Sequence, residues 1–153
     1  MDLRAKLQAA TKEAMKARDS ARLSTLRLIA AAVKDREIAA RSGDTDGTLT
    51  EGDLVMILSR MVKQRQESAK AYEEGGRLEL AEKEEAEIGI IQEFLPRQLS
   101  EAETAAAIDA AIAALGATGI RDMGRVMAEL RDRHAGQMDF GAVGPMVKAR
   151  LLN

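Results

Sequence analysis

Cysteine is absent from this 153-residue chain, which excludes disulfides, thiol catalysis and thiolate metal sites. Aromatic residues are almost as scarce. Tyr72, Phe94 and Phe140 are the whole set, too few to build a surface that stacks splayed-out bases. Long apolar runs are missing as well: Leu28 to Val33 falls far short of the roughly 20 residues a helix needs to cross a bilayer. The first residues carry Asp2, Arg4, Lys6, Lys12 and Glu13, where a secretory signal would show a continuous apolar block. The expectation is a soluble chain with no membrane partner and a cytoplasmic location. With 23 basic against 25 acidic residues, the net charge of −2 advertises no polyanion partner.

Ala, Leu, Glu, Arg and Lys dominate, a composition suited to helices with wet outer faces. Apolar positions recur at steps of three and four, and no sustained strand-like alternation interrupts them. The fold class expected is all-α, a four-helix N-terminal part followed by a small three-helix C-terminal part. Helix one runs from about Leu3 to Ala17, with Leu3, Leu7, Ala14 and a flanking Met15 inward. Asp19 is placed to cap helix two, whose seam is Leu23, Leu26, Ala30 and Val33, and the two helices should pair as a hairpin. Residues Ser42 to Thr48 form a polar turn cluster, and Thr50 with Asp53 has capping-box spacing. Helix three then presents Leu54, Ile57, Leu58, Met61 and Val62, and stops at Gly75-Gly76. Helix four presents Leu80, Ile88, Ile91 and Leu95 and ends at Pro96.

Ser100 and Glu103 form a second capping box directly after that stop, so the boundary predicted is 1–96 and 97–153. Three shorter helices follow: Ser100 to Leu115, Ile120 to about His134, and Phe140 to Leu152. Their inward residues are Ile108, Ile112 and Leu115, then Met123, Val126, Met127 and Leu130, then Phe140, Val143, Val147 and Leu151.

Catalytic parts are lacking. His134 has no cysteine to activate and sits among arginines before Gly136, as a cation at a helix C-terminus does. No G-x-x-x-x-G-K-[ST] phosphate loop exists. The acidic run Glu82 to Glu87 offers carboxylates at i, i+3, but helical di-metal sites pair glutamate with a nearby histidine, so this run reads as a solvated face. No catalytic residue, cofactor or metal site is expected. Basic residues Arg60, Lys63, Arg65 and Lys70 on helix three face a helix four that holds eight acidic residues from Glu73 to Glu93. Pairing of the two across the Gly-Gly turn is the simpler reading, and a phosphate-facing surface is the other.

Several strings resemble a known family: Arg22-Leu23-Ser24-Thr25-Leu26-Arg27, Lys63-Gln64-Arg65 with Ser68, Gly76-Arg77, Phe94 to Ser100 (FLPRQLS), and Asp122 to Met127 (DMGRVM). In this order, over nearly the whole chain, they are similar to the YqeY-like proteins. The resemblance implies kinship of residues 97–153 with the tail of GatB, a subunit of the aspartyl/glutamyl-tRNA amidotransferase. It also implies the family label of carbon–nitrogen ligase activity with glutamine as amido-N-donor. The chain lacks the Ser, Ser, Lys relay of an amidase-type glutaminase, so it is read as a non-catalytic module associated with tRNA or with amidotransferase subunits. Nucleic-acid contacts are assigned to Arg121, Arg125, Lys148 and Arg150, with Lys63 and Arg65 as a second patch. The alternative is a helical protein–protein adaptor that uses Met123, Gly124, Val126 and Met127 and does not bind RNA.

Overall fold

The computed structural model describes residues 2–42 and 47–152. Among them every regular element is helical: α1 (Leu3–Ala17), α2 (Ser20–Arg41), α3 (Glu51–Glu74), α4 (Leu78–Gln92), α5 (Glu101–Leu115), α6 (Met123–His134) and α7 (Phe140–Leu152). A single 3-10 turn, Ile120–Asp122, precedes α6. The chain divides into two compact units, Met1–Leu95 and Pro96–Asn153. Of the polar turn expected at Ser42 to Thr48, residues 43–46 lie outside the described residues.

Caps fix the helix starts of the first unit. The Asp2 and Asp19 carboxylates accept from the amides of Ala5 and Arg22 at 2.7 and 3.1 Å, satisfying donors that have no partner within the helix. Thr50 and Asp53 exchange reciprocal bonds at the head of α3. Between α1 and α2 the chain reverses in two residues. Arg18 takes φ 56°, the one non-glycine residue at positive φ among those described. That left-handed conformation lets the Asp19 amide reach back to the Ala14 carbonyl at 3.0 Å and forces α1 and α2 antiparallel.

The first core is Leu3, Ala10 and Ala14 from α1, Leu26, Ile29 and Val33 from α2, Leu54, Leu58, Met61 and Val62 from α3, and Ile91 from α4. Phe94 and Leu95 pack against it. Several expected inward positions are placed otherwise. Met15 is 56% exposed and Leu80 38%, because each lies one residue, about 100° of helix rotation, off the buried line through Ala14 of α1 and Ala81 of α4. On α2 the buried line is Thr25, Leu26, Ile29 and Val33, and Ala30 is open to solvent. Helix α4 stops before Pro96 is reached. The amides of Glu93, Phe94 and Leu95 turn to carbonyls three residues back, at 3.3, 3.0 and 3.1 Å, the tightened last turn common at helix ends.

In the second unit, Ile108 and Ala111 of α5 meet Val126, Met127 and Leu130 of α6 and Val143, Val147 and Leu151 of α7. The Ser100–Glu103 capping box forms as its spacing predicts. A short clasp closes the unit. The Leu99 amide donates to the Gln137 carbonyl at 2.8 Å, the Gln98 side-chain amide donates to the Gly136 carbonyl, and Gln137 Nε2 donates to the Arg97 carbonyl at 3.1 Å. With its Nε2 so committed, Gln137 turns Oε1 to His134 Nδ1 at 3.1 Å. The imidazole proton therefore belongs on Nδ1.

Candidate functional site

Charge pairing decides which side chains are available for a ligand. Arg65 lies along α3 and donates through Nε to Glu87 of α4 at 2.8 Å and through its guanidinium to the Met61 carbonyl at 3.2 Å. Both side chains of this pair are largely shielded, at 15% and 17% exposure. A cation of α3 and a carboxylate of α4 thus meet across the Gly75-Gly76 turn, where Gly76 takes φ 74°.

In the second unit, Asp122 accepts from the amides of Thr118 and Gly119 at 3.0 and 3.4 Å and from Arg125 at 3.0 Å. The Arg125 guanidinium also caps the end of α5 by donating to the Leu115 carbonyl at 2.9 Å. The backbone donation from Thr118, ahead of the Gly119 amide and the charges of Arg125 and Arg121, holds the Asp122 carboxyl below its ordinary range. Arg150 pairs with Asp109 at 2.6 Å, joining α7 to α5. Arg131 sits 5.8 Å from the centre of the Phe140 ring, a cation–π contact.

Of the six cations assigned to nucleic acid, Arg65, Arg125 and Arg150 are therefore engaged within the fold, and Lys63 also has an interaction there. Arg121 and Lys148 are exposed. Arg121 lies in the 3-10 turn and Arg125 at the start of α6, and the charges of both bear on Asp122. Residues 96–153 hold seven basic and seven acidic side chains, a balance of zero. The methionine surface of the adaptor alternative is mostly core: Val126 is fully buried, Met127 is 7% exposed, and Met123 packs against the same cluster.

Sequence reasoning missed a groove in the first unit. Helices α1 and α2 flank it, Leu54 of α3 contributes to its lining, and its volume is about 620 Å³. Leu7, Leu26, Ile29, Ala30 and Val33 supply the apolar lining, while Arg4, Lys12, Lys34 and Glu37 supply charge. Arg4 and Glu37 pair at 2.9 Å across one end. The missed signal was Ala30: it continues the apolar seam of α2, yet it is exposed, with nothing among the described residues covering it.

No group of three or more His, Asp or Glu side chains is arranged to hold a metal among the described residues. No single helix there is long and apolar enough to cross a membrane.

A family model described as Yqey-like protein matches residues 4–151. The chain belongs to the YqeY-like family. Two relatives, each named "Altered inheritance of mitochondria protein 41, mitochondrial", extend the match. The protein of Lachancea thermotolerans is 30% identical over 154 residues, covering 99% of this chain and 80% of the relative. That of Eremothecium gossypii is 35% identical over 133 residues, covering 84% and 70%. Both names place those proteins in mitochondria, which overturns the cytoplasmic expectation. That expectation leaned on the missing cysteines and the missing secretory pattern. A helical fold that needs no disulfide is indifferent to redox compartment, so its composition does not distinguish one internal compartment from another.

The YqeY-like strings now have physical roles. Arg22 pairs with Glu93 at 2.7 Å, while Thr25 and Leu26 are buried. Arg65 grips Glu87. The Leu-Pro-x-Gln-Leu string builds the clasp on Gly136 and Gln137. In Asp122 to Met127, the aspartate and arginine tie the end of α5 to the start of α6.

Proposed function

We propose that this YqeY-like chain is a non-catalytic helical binding module of the tRNA-dependent amidotransferase system, and that its working contact is with protein rather than with RNA phosphate. The observation that carries the choice between partners is the commitment of Arg65, Arg125 and Arg150 to internal carboxylates. Phosphate binding draws its affinity from cations that displace counterions, and a guanidinium already paired with a carboxylate has much of its charge offset. The amidotransferase association is carried over from the resemblance to the GatB tail. Support for a non-catalytic role comes from the absence of a phosphate loop and nucleophile relay in the sequence and from His134, which faces an uncharged Gln137 where a general base would be oriented by a carboxylate. The four-plus-three helix grouping and the independence of residues 1–96 and 97–153 belong to the same proposal.

The test is affinity capture with the tagged full chain from its native cells, with and without ribonuclease. Amidotransferase subunits retained after ribonuclease are the expected result; their loss on treatment would return the contact to RNA. Purified chain should also show no glutaminase or ATPase turnover above a blank. Turnover that survives repurification and disappears with a point substitution in this chain would overturn the non-catalytic reading.

A further inference from the structure

The α1–α2 groove has the dimensions and charge of a helix-docking site. The Arg4–Glu37 pair sets the antiparallel register of its walls. From Arg4 to Lys12 is eight residues, about 12 Å at 1.5 Å per residue, or two turns of a bound helix. In that register Lys12 of α1 lies level with Ile29 of α2, and Lys34 stands about 7.5 Å further along the opposite wall. Arg4 is neutralised by Glu37, whereas neither lysine has an acidic partner among the described residues. Two cations staggered on opposite walls suit two separate carboxylates that flank an apolar stripe. A single-headed amphiphile would need both cations to converge on one point.

We propose that this groove docks an acidic amphipathic helix of a partner protein, its apolar stripe over Leu7, Ala30 and Val33 and its flanking carboxylates against Lys12 and Lys34. Such a helix supplies anchors at i, i+3 or i+4, and i+7, and covers the exposed Ala30. The proposal deepens the protein-contact reading, on which it rests, by giving that contact a place and a chemistry.

The probe is a labelled synthetic helix with leucines at i, i+3 and i+7 and glutamates on both flanks, followed by fluorescence anisotropy with the full chain. Saturable binding that weakens with salt is expected, along with a loss of about tenfold or more in Lys12→Glu/Lys34→Glu. Ala30→Glu should abolish binding by filling the floor. All three positions are exposed, and circular dichroism checks that each variant keeps its fold. Equal affinity for a peptide with lysines in place of the glutamates, or indifference to all three substitutions, overturns the proposal. So does displacement of the peptide by dodecanoate at equal concentration, or dimerisation of the chain alone that the same substitutions abolish. Capture of amidotransferase subunits that persists in the double lysine variant overturns the groove but spares the protein-contact reading. Failure of the wild-type chain to capture them, with peptide binding intact, does the reverse.

Discussion

The two units handle charge in opposite ways. In the first, sign is segregated by helix: α1 and α2 together carry nine basic against three acidic residues and α4 one against five, and the α1–α2 groove keeps Lys12 and Lys34 without acidic partners among the described residues. The second holds seven cations and seven anions, and Arg97, Arg125, Arg133 and Arg150 are each bound to a carboxylate. Most cations of the second unit are thus already offset by carboxylates, whereas the groove of the first sets staggered cations beside apolar surface. The strings that identify the family mostly serve the fold, and the candidate binding surface lies largely outside them.

The largest effect expected from perturbing this comparison is in the cores. Ile108 is fully buried in the second unit and Leu58 is 1% exposed in the first. Truncating either to alanine should cost about 2–5 kcal/mol. The second unit spans fewer than 60 residues, a size at which a core is marginal. Ile108→Ala should therefore melt it near room temperature while the first unit stays folded, seen as two transitions in calorimetry. A single transition moved equally by both substitutions would mean one merged cooperative core.

Next comes the pair inside the first unit. Arg65→Ala leaves the shielded Glu87 carboxylate without its donor and should cost about 1–3 kcal/mol by denaturant titration. Arg150→Ala, whose partner Asp109 is 64% exposed, should cost less than about 1 kcal/mol. Equal losses would erase the distinction drawn between the units. The clasp falls between these: Gln98→Ala should cost about 1 kcal/mol, and Gln98→Glu more, since a carboxylate would face the Gly136 carbonyl.

Acid sharpens the comparison from another side. Bonding to Arg97, followed by the amide of Ser100, lowers the Glu103 carboxyl to about 2, and Asp122 is lowered in the same unit. A depressed folded value means that the stability contributed is present above the ordinary carboxylate range. It is lost as pH falls through the folded value, here between about 4.5 and 2 for Glu103. In the first unit Asp53 acts in the same direction. Glu85 acts in the other, raised first by a side-chain bond with Glu73 and then by burial and acidic neighbours, so its folded-state penalty is relieved in acid. The second unit should therefore lose more stability than the first over that window. Glu85→Gln should give the smallest effect, a slight stabilisation at neutral pH that disappears once Glu85 protonates.

Much of the fold could be read from local chemistry. Asp19, Thr50 with Asp53, and Ser100 with Glu103 cap helices where their spacing says they should, because a cap involves residues only three apart. The meeting of α3 and α4 was legible because a glycine turn joins two long helices, one with a row of cations through its middle and the other acidic, and leaves them few other places to go. What escaped was set across the chain. Asp109 and Arg150 are 41 residues apart, so no local pattern announces that Arg150 is occupied. Arg125 looked like a surface cation until the Leu115 carbonyl, ten residues back, was found in its fork. Ala30 shows the limit of periodicity: spacing marks it as apolar and inward, but whether a partner helix covers it is a property of the assembled bundle.

The choice of partner is tested most directly by the salt dependence of tRNA affinity, measured for the wild-type chain and for Arg121→Ala/Lys148→Ala. Each neutralised phosphate contributes a slope of about −0.7 to −0.9 in log K against log salt. The account predicts weak binding with a slope no steeper than about −2, unchanged in the double variant. A slope of about −4 or steeper that flattens when Arg121 and Lys148 are removed would contradict it and make RNA the working partner.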